Sequence, residues 1–339
     1  RLRAVDRQAW NLLTPAEQAA FTRLAIFPGA CDRAAAEAIV GTPLATLAAL
    51  ADKSLLTRMA NGKGNPRFAL HAVLRKYARE ELALLPDEAA SITARHAGYY
   101  LGFLAEQTQA LQGAHQLAAL TAIAEQIANV RQAWKWAVDN GEIELLHQTW
   151  QSLFTFYNVR SWFREGEAAF ADLATMLQAR HELHGDAGRT LLGIAWASQA
   201  WFSHQLGHVA KADEMMRLSL DTLHDRPPTE ALAFALSRRG IVAFQRGELE
   251  DARQLCQKSL DLYCTLDDRV GMTTMYGFLG RMALEQGRHG EAQRHSLASL
   301  DLARHRGDRW RSAHPLSNLA AVATARGDYD RAHGLLREA

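Results

Sequence analysis

Six side chains in the C-terminal half of the chain could form a binding groove. The two aromatic rings among them could stack on a ligand, and the two arginines could pair with a polar or anionic group. An alternative stays open, in which the rings pack between helices and the arginines are solvated. The predicted groove residues are Trp201, Arg238, Gln245, Phe278, Arg281 and Asn318.

The sequence shows no recognisable pattern of catalytic or metal-binding residues. A Gly-x-x-x-x-Gly-Lys-[Ser/Thr] phosphate loop is missing, and the segment 61–64 has glycines without that spacing. His181 with His184, and His289 with His295, have no thiolates or carboxylates at ligand spacing, so we interpret them as solvent-exposed. We therefore predict that the chain is not an enzyme, and we expect no catalytic residue, metal or other cofactor within it.

The helices that would position the groove residues repeat every 40 residues. A glycine recurs at this spacing, an alanine follows five residues later, and a Ser-Leu-Asp triplet begins seven residues after the first three alanines. Each unit reads as helix, turn and helix, and the glycine lies in the turn because it adopts the left-handed conformation most readily. The four glycines are Gly207, Gly247, Gly287 and Gly327.

This order of small, large, glycine and alanine positions resembles the tetratricopeptide repeat, whose usual period is about 34 residues. We place the additional residues of the longer period between units, at 266–272 and 306–312. The resemblance covers 190–339 clearly, and the first helix of each unit should line the concave face. Upstream, Ser161 stands where a turn glycine would lie in a weaker unit.

The N-terminal residues have the pattern of a winged helix, which consists of three helices and a β-hairpin. Thr14 and Glu17 form a capping box with proline between them. The predicted elements are helices that begin near Pro15, Asp32 and Leu44, strands at 55–59 and 67–70, and a further helix at 72–85.

The third of these helices, 44–52, contains no Arg, Asn or Gln, the side chains that read base edges. The wing region offers Arg58, Lys63 and Arg67, enough for a few phosphate contacts. We therefore do not expect this domain to bind DNA and interpret it as a winged helix that packs on protein. DNA recognition by the winged helix stays the alternative.

Residues 10–90 also resemble the winged-helix domain of STAND regulators, which are signal-transduction ATPases. The junction of strand and helix at 67–78 is similar to their Met-His-Asp region, with Leu70 and Ala72 in place of Met and Asp. In that family the histidine contacts the β-phosphate of ADP, so the resemblance implies a nucleotide-sensing role for His71. The alternative is a histidine that is hydrogen-bonded at a helix start.

The nearest likeness is to bacterial members with a C-terminal repeat array, of the maltose-activator and antibiotic-pathway-activator type. The segment 125–131 also resembles one that is common in these proteins. The resemblance implies that the array binds an inducer small molecule or a partner protein or peptide. It further implies that the winged helix couples this event to a nucleotide-binding domain outside the chain, with ADP or ATP as cofactor. A scaffold that holds a partner's peptide without nucleotide coupling is the competing interpretation.

Composition agrees with this class of protein. The chain has 339 residues, 48% hydrophobic residues and a net charge of +1, which points to neither nucleic acid nor membrane. Cys256 and Cys264 are eight residues apart on one predicted helix, too far for a disulfide, so we expect free thiols and a cytoplasmic location. Because the chain begins with Arg1 and stops at Ala339, where the next triplet is due, we expect a fragment of a larger protein.

The predicted fold is mostly α. A winged-helix domain occupies 1–90, a helical linker with degenerate repeats occupies 91–189, and an α-α superhelical array similar to tetratricopeptide repeats occupies 190–339.

Overall fold

The structure, a computed structural model, describes residues 10–60, 66–180, 185–224 and 229–339. Contacts divide the chain into two compact units. The winged-helix unit comprises Arg1–Ala105 and Ile123–Asn140, and the repeat unit comprises Glu106–Ala122 and Gly141–Ala339. The boundaries at residues 90 and 189 stay a prediction, because compact units defined by contacts need not coincide with sequence domains.

The winged-helix unit confirms the predicted helices and hairpin. Its elements are α1 (Pro15–Leu24), β1 (Cys31–Asp32), α2 (Arg33–Ala35, continued by a π-helix at Ala36–Val40), α3 (Leu44–Asp52), β2 (Leu56–Ala60), β3 (Pro66–Leu70) and α4 (Ala72–Ala83). Two long helices follow, α5 (Pro86–Leu111) and α6 (Gln116–Asn140), and each contributes residues to both units.

Capping residues set where the short helices begin and end. The Glu17 amide donates to Thr14 Oγ1 at 3.3 Å, and the Thr14 amide donates to Glu17 Oε2 at 2.8 Å, which completes the capping box. The Ala35 amide donates to the Asp32 side chain at 2.8 Å, and Gly41 ends that helix with a φ of 70°. Local sequence therefore suffices to define these ends.

The sheet has three antiparallel strands in the order β1-β3-β2. Phe68 of β3 lies between Cys31 and Arg58 and is buried. The sequence predicted only β2 and β3, because a strand of two residues shows no alternation and Asp32 reads as a helix cap. The wing segment 61–65, including Lys63, lies outside the described residues.

A hydrogen-bond network joins β3 to α5 and α6 within the winged-helix unit. Arg67 Nη2 donates to the Ala30 carbonyl at 2.8 Å and to Gln126 Oε1 at 3.2 Å. Asn129 Nδ2 donates to the same Gln126 oxygen, and Asn129 Oδ1 lies 3.2 Å from His96 Nε2. Burial lowers the pKa of His96 to about 4. Two residues of the segment 125–131 therefore have a structural role.

The repeat unit is built from helix pairs. They are α7 (Ile143–Val159) with α8 (Phe163–Ala179), α9 (Asp186–Gln205) with α10 (Val209–Leu223), α11 (Glu230–Gln245) with α12 (Leu249–Thr265), α13 (Arg269–Glu285) with α14 (His289–His305), and α15 (Arg309–Ala325) with α16 (Tyr329–Glu338). The four recurring glycines have φ between 72° and 81°, as the turn prediction requires. Ser161, at the position of the missing glycine, has a φ of 56°.

The prediction that the additional residues lie between units is wrong. Both α12 and α13 have 17 residues, and three residues separate them. A second turn of the same length follows α13, so two long helices and two short turns account for the whole period of 40 residues. Asp268 and Asp308 cap the helices α13 and α15 and start them earlier than predicted.

The recurring small and serine residues allow the helices to approach each other closely. A Cβ atom on Gly240 would lie 2.6 Å from Cys256 Sγ, and one on Gly280 would lie 2.6 Å from Ser296 Oγ. The serine of each Ser-Leu-Asp triplet donates to a carbonyl of the preceding helix, 26 residues earlier in sequence and 2.7 to 2.8 Å away. These bonds give the triplet a structural explanation that the sequence alone did not reveal.

Two further properties concern the chain as a whole. All three cysteines are free thiols, and only Cys264 is exposed. Within the described ranges no single helix is long and apolar enough to cross a membrane. The helices Arg33–Val40 and Leu44–Asp52, which are bent relative to each other, together have the length and composition of such a span.

Candidate functional site

The concave side of the repeat unit contains a pocket of about 460 Å³, here called the concave pocket. Its wall consists of residues from the first helices of successive pairs, α7, α9, α11, α13 and α15. Tyr263 from α12, Ser299 from α14, Asp268 from the turn before α13 and Gln112 from the turn between α5 and α6 complete it. Small-molecule sites usually have volumes of about 300 to 1,000 Å³. The pocket therefore has the size of a site for a compact organic molecule.

All six predicted groove residues line the concave pocket. The pocket is also lined by Ile241, Phe244 and Gly277 of the same helices. The inward positions recur with the period as Glu230, Val270 and Trp310, then Phe234, Thr274 and His314, then Arg238, Phe278 and Asn318.

Arg238 is surrounded by aromatic rings. Its guanidinium carbon lies 5.0 Å from the ring centre of Trp201, 5.3 Å from that of Phe234 and 5.9 Å from that of Phe154. These distances fall within the range of cation–π attraction. The Arg238 Nε donates to Ser237 Oγ at 3.1 Å, and no carboxylate of the described residues forms an ion pair with this guanidinium. Its burial lowers the pKa of Arg238 from the usual value.

The other two arginines of the concave pocket have acidic partners. Arg281 Nε lies 3.1 Å from Glu285 Oε1, one turn along the same helix. Arg311 Nη1 lies 2.6 Å from Asp308 Oδ2, and the Arg311 side chain is largely buried. Their charges are therefore compensated locally, in contrast to that of Arg238.

The aromatic wall is held in place by contacts among its own members. Trp150 and Phe154 each pack against Phe234 with ring centres 5.0 Å apart. Trp201 Nε1 donates to Asn158 Oδ1 at 2.7 Å, which fixes the orientation of the indole. Rings in edge-to-face contact keep their positions, so the wall offers a preformed apolar surface.

Two carboxylates also line the concave pocket, and both are engaged by the protein. Asp268 accepts from the amides of Val270 and Gly271 at 2.9 and 3.0 Å as the cap of α13. Glu230 accepts from Gln151 Nε2 at 3.1 Å. Desolvation and the neighbouring Asp268 carboxylate raise the pKa of Glu230.

A contact between two distant turns forms part of the pocket wall. The turn between α14 and α15 meets the turn between α5 and α6, which lies 194 residues earlier in sequence. Arg306 Nε and Nη2 donate to the Gln112 carbonyl at 3.2 and 3.0 Å. A Cβ atom on Gly307 would lie 2.9 Å from the Cβ of Ala114. Because Gln112 lines the pocket, this contact bounds the pocket on that side.

Asn318 and Gln245 also stabilise the wall. The Asn318 side chain donates to the Gly277 carbonyl at 3.0 Å and is buried. Gln245 Oε1 lies 2.9 Å from His204 Nε2. The amide nitrogen of Asn318 therefore joins α13 to α15.

His71 lies at the start of α4 and is exposed. Its side chain does not cap the helix, which argues against the alternative of a histidine hydrogen-bonded at a helix start. Among the described residues, no phosphate-binding loop lies beside His71. Its nucleotide-sensing role stays a prediction.

The basic residues of the wing region are engaged within the winged-helix unit. Arg58 Nη2 lies 3.3 Å from Asp52 Oδ1, and Lys53 Nζ lies 2.7 Å from Glu17 Oε2. Arg67 donates to the network described above. Within the described part of the wing region, each of these side chains therefore has a protein partner. The pair His181 and His184 lies outside the described residues.

Sequence reasoning missed several residues of the concave pocket. Trp150 and Phe154 lie on α7, which has no recurring glycine to reveal its register. Trp310 and Arg311 lie in a segment that was predicted to connect units and is helical instead. Phe234 could have been found, because it lies one helical turn before Arg238 and shares the period with His314.

Comparison with known protein families supports this architecture. Residues 13–83 match the model of a winged helix-turn-helix domain. Residues 231–304 and 271–339 match the model of the tetratricopeptide repeat. Domains of these two kinds are non-catalytic, and tetratricopeptide repeats suggest interaction with other molecules.

Two curated mycobacterial proteins are similar in sequence. Rv0890c of Mycobacterium tuberculosis and Mb0914c of Mycobacterium bovis, both named as HTH-type transcriptional regulators, are 35% identical over 177 residues. The match covers 50% of this chain and 20% of each relative. The chain therefore spans about a fifth of the length of the curated relatives that it matches.

A solved structure shares the fold. It is the STAND protein PH0952 from Pyrococcus horikoshii, described as having a tetratricopeptide repeat sensor. The TM-score is 0.52 and the identity 13%, with 96% of this chain and 50% of that chain covered. The chain thus combines a winged helix-turn-helix domain with a tetratricopeptide-repeat array, is similar to STAND-type regulators, and has the domains of a regulatory protein.

Proposed function

We propose that the repeat unit is the sensor of a STAND-type regulator and that the concave pocket binds a small-molecule inducer. The winged-helix unit couples this binding to an ADP/ATP switch in a nucleotide-binding domain outside the chain. The observation that carries the proposal is a bounded pocket with a preformed aromatic wall and one arginine that lacks an acidic partner among the described residues. Similar proteins support the regulatory part, through the names of the mycobacterial relatives and the sensor of the solved STAND protein.

The mechanism in this proposal is a shift between two states of the full regulator. A ligand changes such an equilibrium only by the difference between its affinities for the two states. The contact of Arg306 with Gln112 provides a place where such a difference could arise, because it bounds the pocket and joins parts of the chain that are distant in sequence.

The competing function is a scaffold that holds a peptide from a partner protein. An extended peptide requires an open groove along the array, whereas the contact between the two turns bounds the concave pocket. A volume of about 460 Å³ also suits a compact ligand. The geometry therefore favours a small molecule over a peptide.

The test uses a substitution that narrows the pocket. Gly277 lines it, and a Cβ atom there would meet only Ser299 Oγ at 3.5 Å, so the backbone leaves room for a side chain to begin here. Circular dichroism checks that Gly277→Leu folds. Gly290 is the control because it lies in a helix and a Cβ atom there would meet nothing within 4 Å. Compounds from a small-molecule library that raise the melting temperature of the chain should lose this effect with Gly277→Leu and keep it with Gly290→Leu. Equal effects in both variants would contradict a sensor site in the concave pocket.

Nucleotide coupling is tested on a protein that includes the proposed nucleotide-binding domain. We expect His71→Ala to weaken ADP binding in calorimetry and to raise resting activity, because the resemblance assigns this histidine to the β-phosphate. His147, which is also exposed, provides the matched substitution His147→Ala. If both variants bind ADP as the unchanged protein does, His71 has no nucleotide-sensing role.

DNA recognition by the winged helix remains the second candidate, supported by the helix-turn-helix match. The engaged basic residues and the sequence of α3 argue against it. A gel shift with the chain at physiological salt should show no sequence-selective complex. Tight and sequence-selective binding of DNA would contradict our interpretation that this domain packs on protein.

A further inference from the structure

Arg238 differs from the other two arginines of the concave pocket because it has no carboxylate partner among the described residues. A guanidinium has five N–H groups, and the structure shows one bond from this one, to Ser237 Oγ at 3.1 Å. A half-buried cation without a counter-ion is partly desolvated at a cost to the fold, and such groups cluster at functional sites. Arg281 and Arg311 of the same pocket show the usual arrangement, each with a carboxylate.

The surroundings of Arg238 restrict what its counter-ion can be. Ring faces of Trp201 and Phe234 lie near the guanidinium, at 5.0 and 5.3 Å, so this half-buried group is framed by an apolar wall. The two pocket carboxylates are already hydrogen-bonded to Gln151 and to the start of α13. An anion that reaches Arg238 must therefore belong to a ligand that also tolerates flat apolar surfaces.

Carboxylate geometry fits this place best. A planar carboxylate accepts two parallel bonds from the terminal nitrogens of an arginine. The ring surfaces of the wall stack with flat apolar groups at little cost in ordering, because their mutual contacts already hold them in place.

We propose that the inducer is a compact organic acid, with one carboxylate bound by Arg238 and a flat apolar body against the aromatic wall of the concave pocket. This proposal rests on the proposed sensor function and specifies its ligand class. Arg238 reads the charge of the ligand, whereas Arg281, which is exposed and paired, does not.

The experiment compares 2-naphthoate with its neutral counterpart 2-naphthamide by isothermal titration calorimetry on the chain of 339 residues. The two probes have nearly the same shape, so their affinity ratio reports recognition of the charge. We expect naphthoate to bind at least about tenfold more tightly, which corresponds to about 1.4 kcal/mol. In Arg238→Gln the ratio should fall below about threefold. In Arg217→Gln, which changes an exposed, ion-paired arginine outside the pocket lining, it should stay within about twofold of the unchanged chain.

Several outcomes overturn the proposal. They are equal affinities of both probes for the unchanged chain, no binding of naphthoate, and an unchanged ratio in Arg238→Gln. Circular dichroism checks that the variant folds, and Arg238→Lys gives a second test because its point charge should restore only part of the preference. If the Gly277→Leu variant abolishes binding of neutral compounds while carboxylates are not preferred, the sensor site stands and the ligand class is wrong. If Gly277→Leu changes the effect of no library compound on the melting temperature, the proposal that the concave pocket is the sensor site is wrong.

Discussion

The two units use half-buried arginines in different ways. In the winged-helix unit, Arg75 donates to the carbonyls of Pro28 and Leu70 at 2.5 and 2.9 Å, and Arg67 donates to Ala30 and Gln126. In the repeat unit, Arg238 makes one bond to a neighbouring serine and otherwise faces aromatic rings. The terminal nitrogens of the first two bond to acceptors of the fold, although the Nε of each has no partner, whereas the terminal nitrogens of Arg238 have no acceptor among the described residues.

This difference gives a criterion for separating structural from functional charges in the same chain. Buried polar groups of folded proteins are nearly always hydrogen-bonded. We therefore interpret an arginine whose terminal nitrogens bond to the fold as structural, and one whose terminal nitrogens have no protein acceptor as a candidate ligand contact.

The largest effect should come from removing an arginine whose terminal nitrogens bond to the fold. Arg67→Met leaves the Ala30 carbonyl and Gln126 Oε1 without their charged donor. We expect a loss of roughly 3 kcal/mol in the free energy of unfolding, measured by urea denaturation with hydrogen exchange of residues 10–60. Arg58→Met is the control, since its ion pair with Asp52 is exposed and should contribute less than about 0.5 kcal/mol. Equal losses of unfolding free energy in the two variants would show that Arg67 stabilises the fold no more than an exposed ion pair does.

A pH effect should follow from the same network. The pKa of His96 is lowered to about 4 in the fold, so below the ordinary histidine value of about 6.5 the unfolded chain binds a proton that the folded chain does not. Stability should therefore fall by roughly 2 kcal/mol as the pH drops from 7 to about 4.5. His96→Phe keeps the ring contacts and should reduce this dependence, while His147→Phe at an exposed position should not. An unchanged slope in His96→Phe would show that the buried histidine is not its source.

A smaller effect on stability is expected at the contact between the two turns that bounds the concave pocket. Gly307 and Gly287 both have a left-handed backbone, with φ of 64° and 72°, so alanine costs each about 1 kcal/mol. Only Gly307 faces a neighbour, Ala114, and Gly307→Ala should lose roughly 1 kcal/mol more. Hydrogen exchange of residues 112–116 should become faster in Gly307→Ala and stay unchanged in Gly287→Ala. The same exchange rate in both would mean that the contact does not hold the two turns together.

Local signals made much of this fold predictable. The capping box at Thr14, the glycines of the four turns and even Ser161 mark where helices end, because each position meets a backbone requirement that few residues satisfy. The period of 40 residues then placed Trp201, Arg238 and Phe278 on related faces, and they do line one pocket.

Other parts could not be predicted because they depend on long-range packing. The contact of Gln112 with Arg306 joins residues 194 positions apart, and no repeat connects them. Trp150 belongs to a helix without a register signal, and the ion pairs of Arg281 and Arg311 depend on rotamers. The sequence therefore predicted which residues share a surface, and the structure was needed to show which arginine is left without a partner among the described residues.

The most direct measurement of the central claim is the melting temperature of Arg238→Met without ligand. If Arg238 is retained for recognition, replacing its buried charge with an apolar side chain of similar length should leave the melting temperature unchanged or raise it by about 1 to 3 °C. Methionine keeps favourable contacts with the surrounding rings, which limits the loss of cation–π attraction. A decrease of more than about 3 °C would contradict the account, because it would show that Arg238 stabilises the fold as Arg67 does.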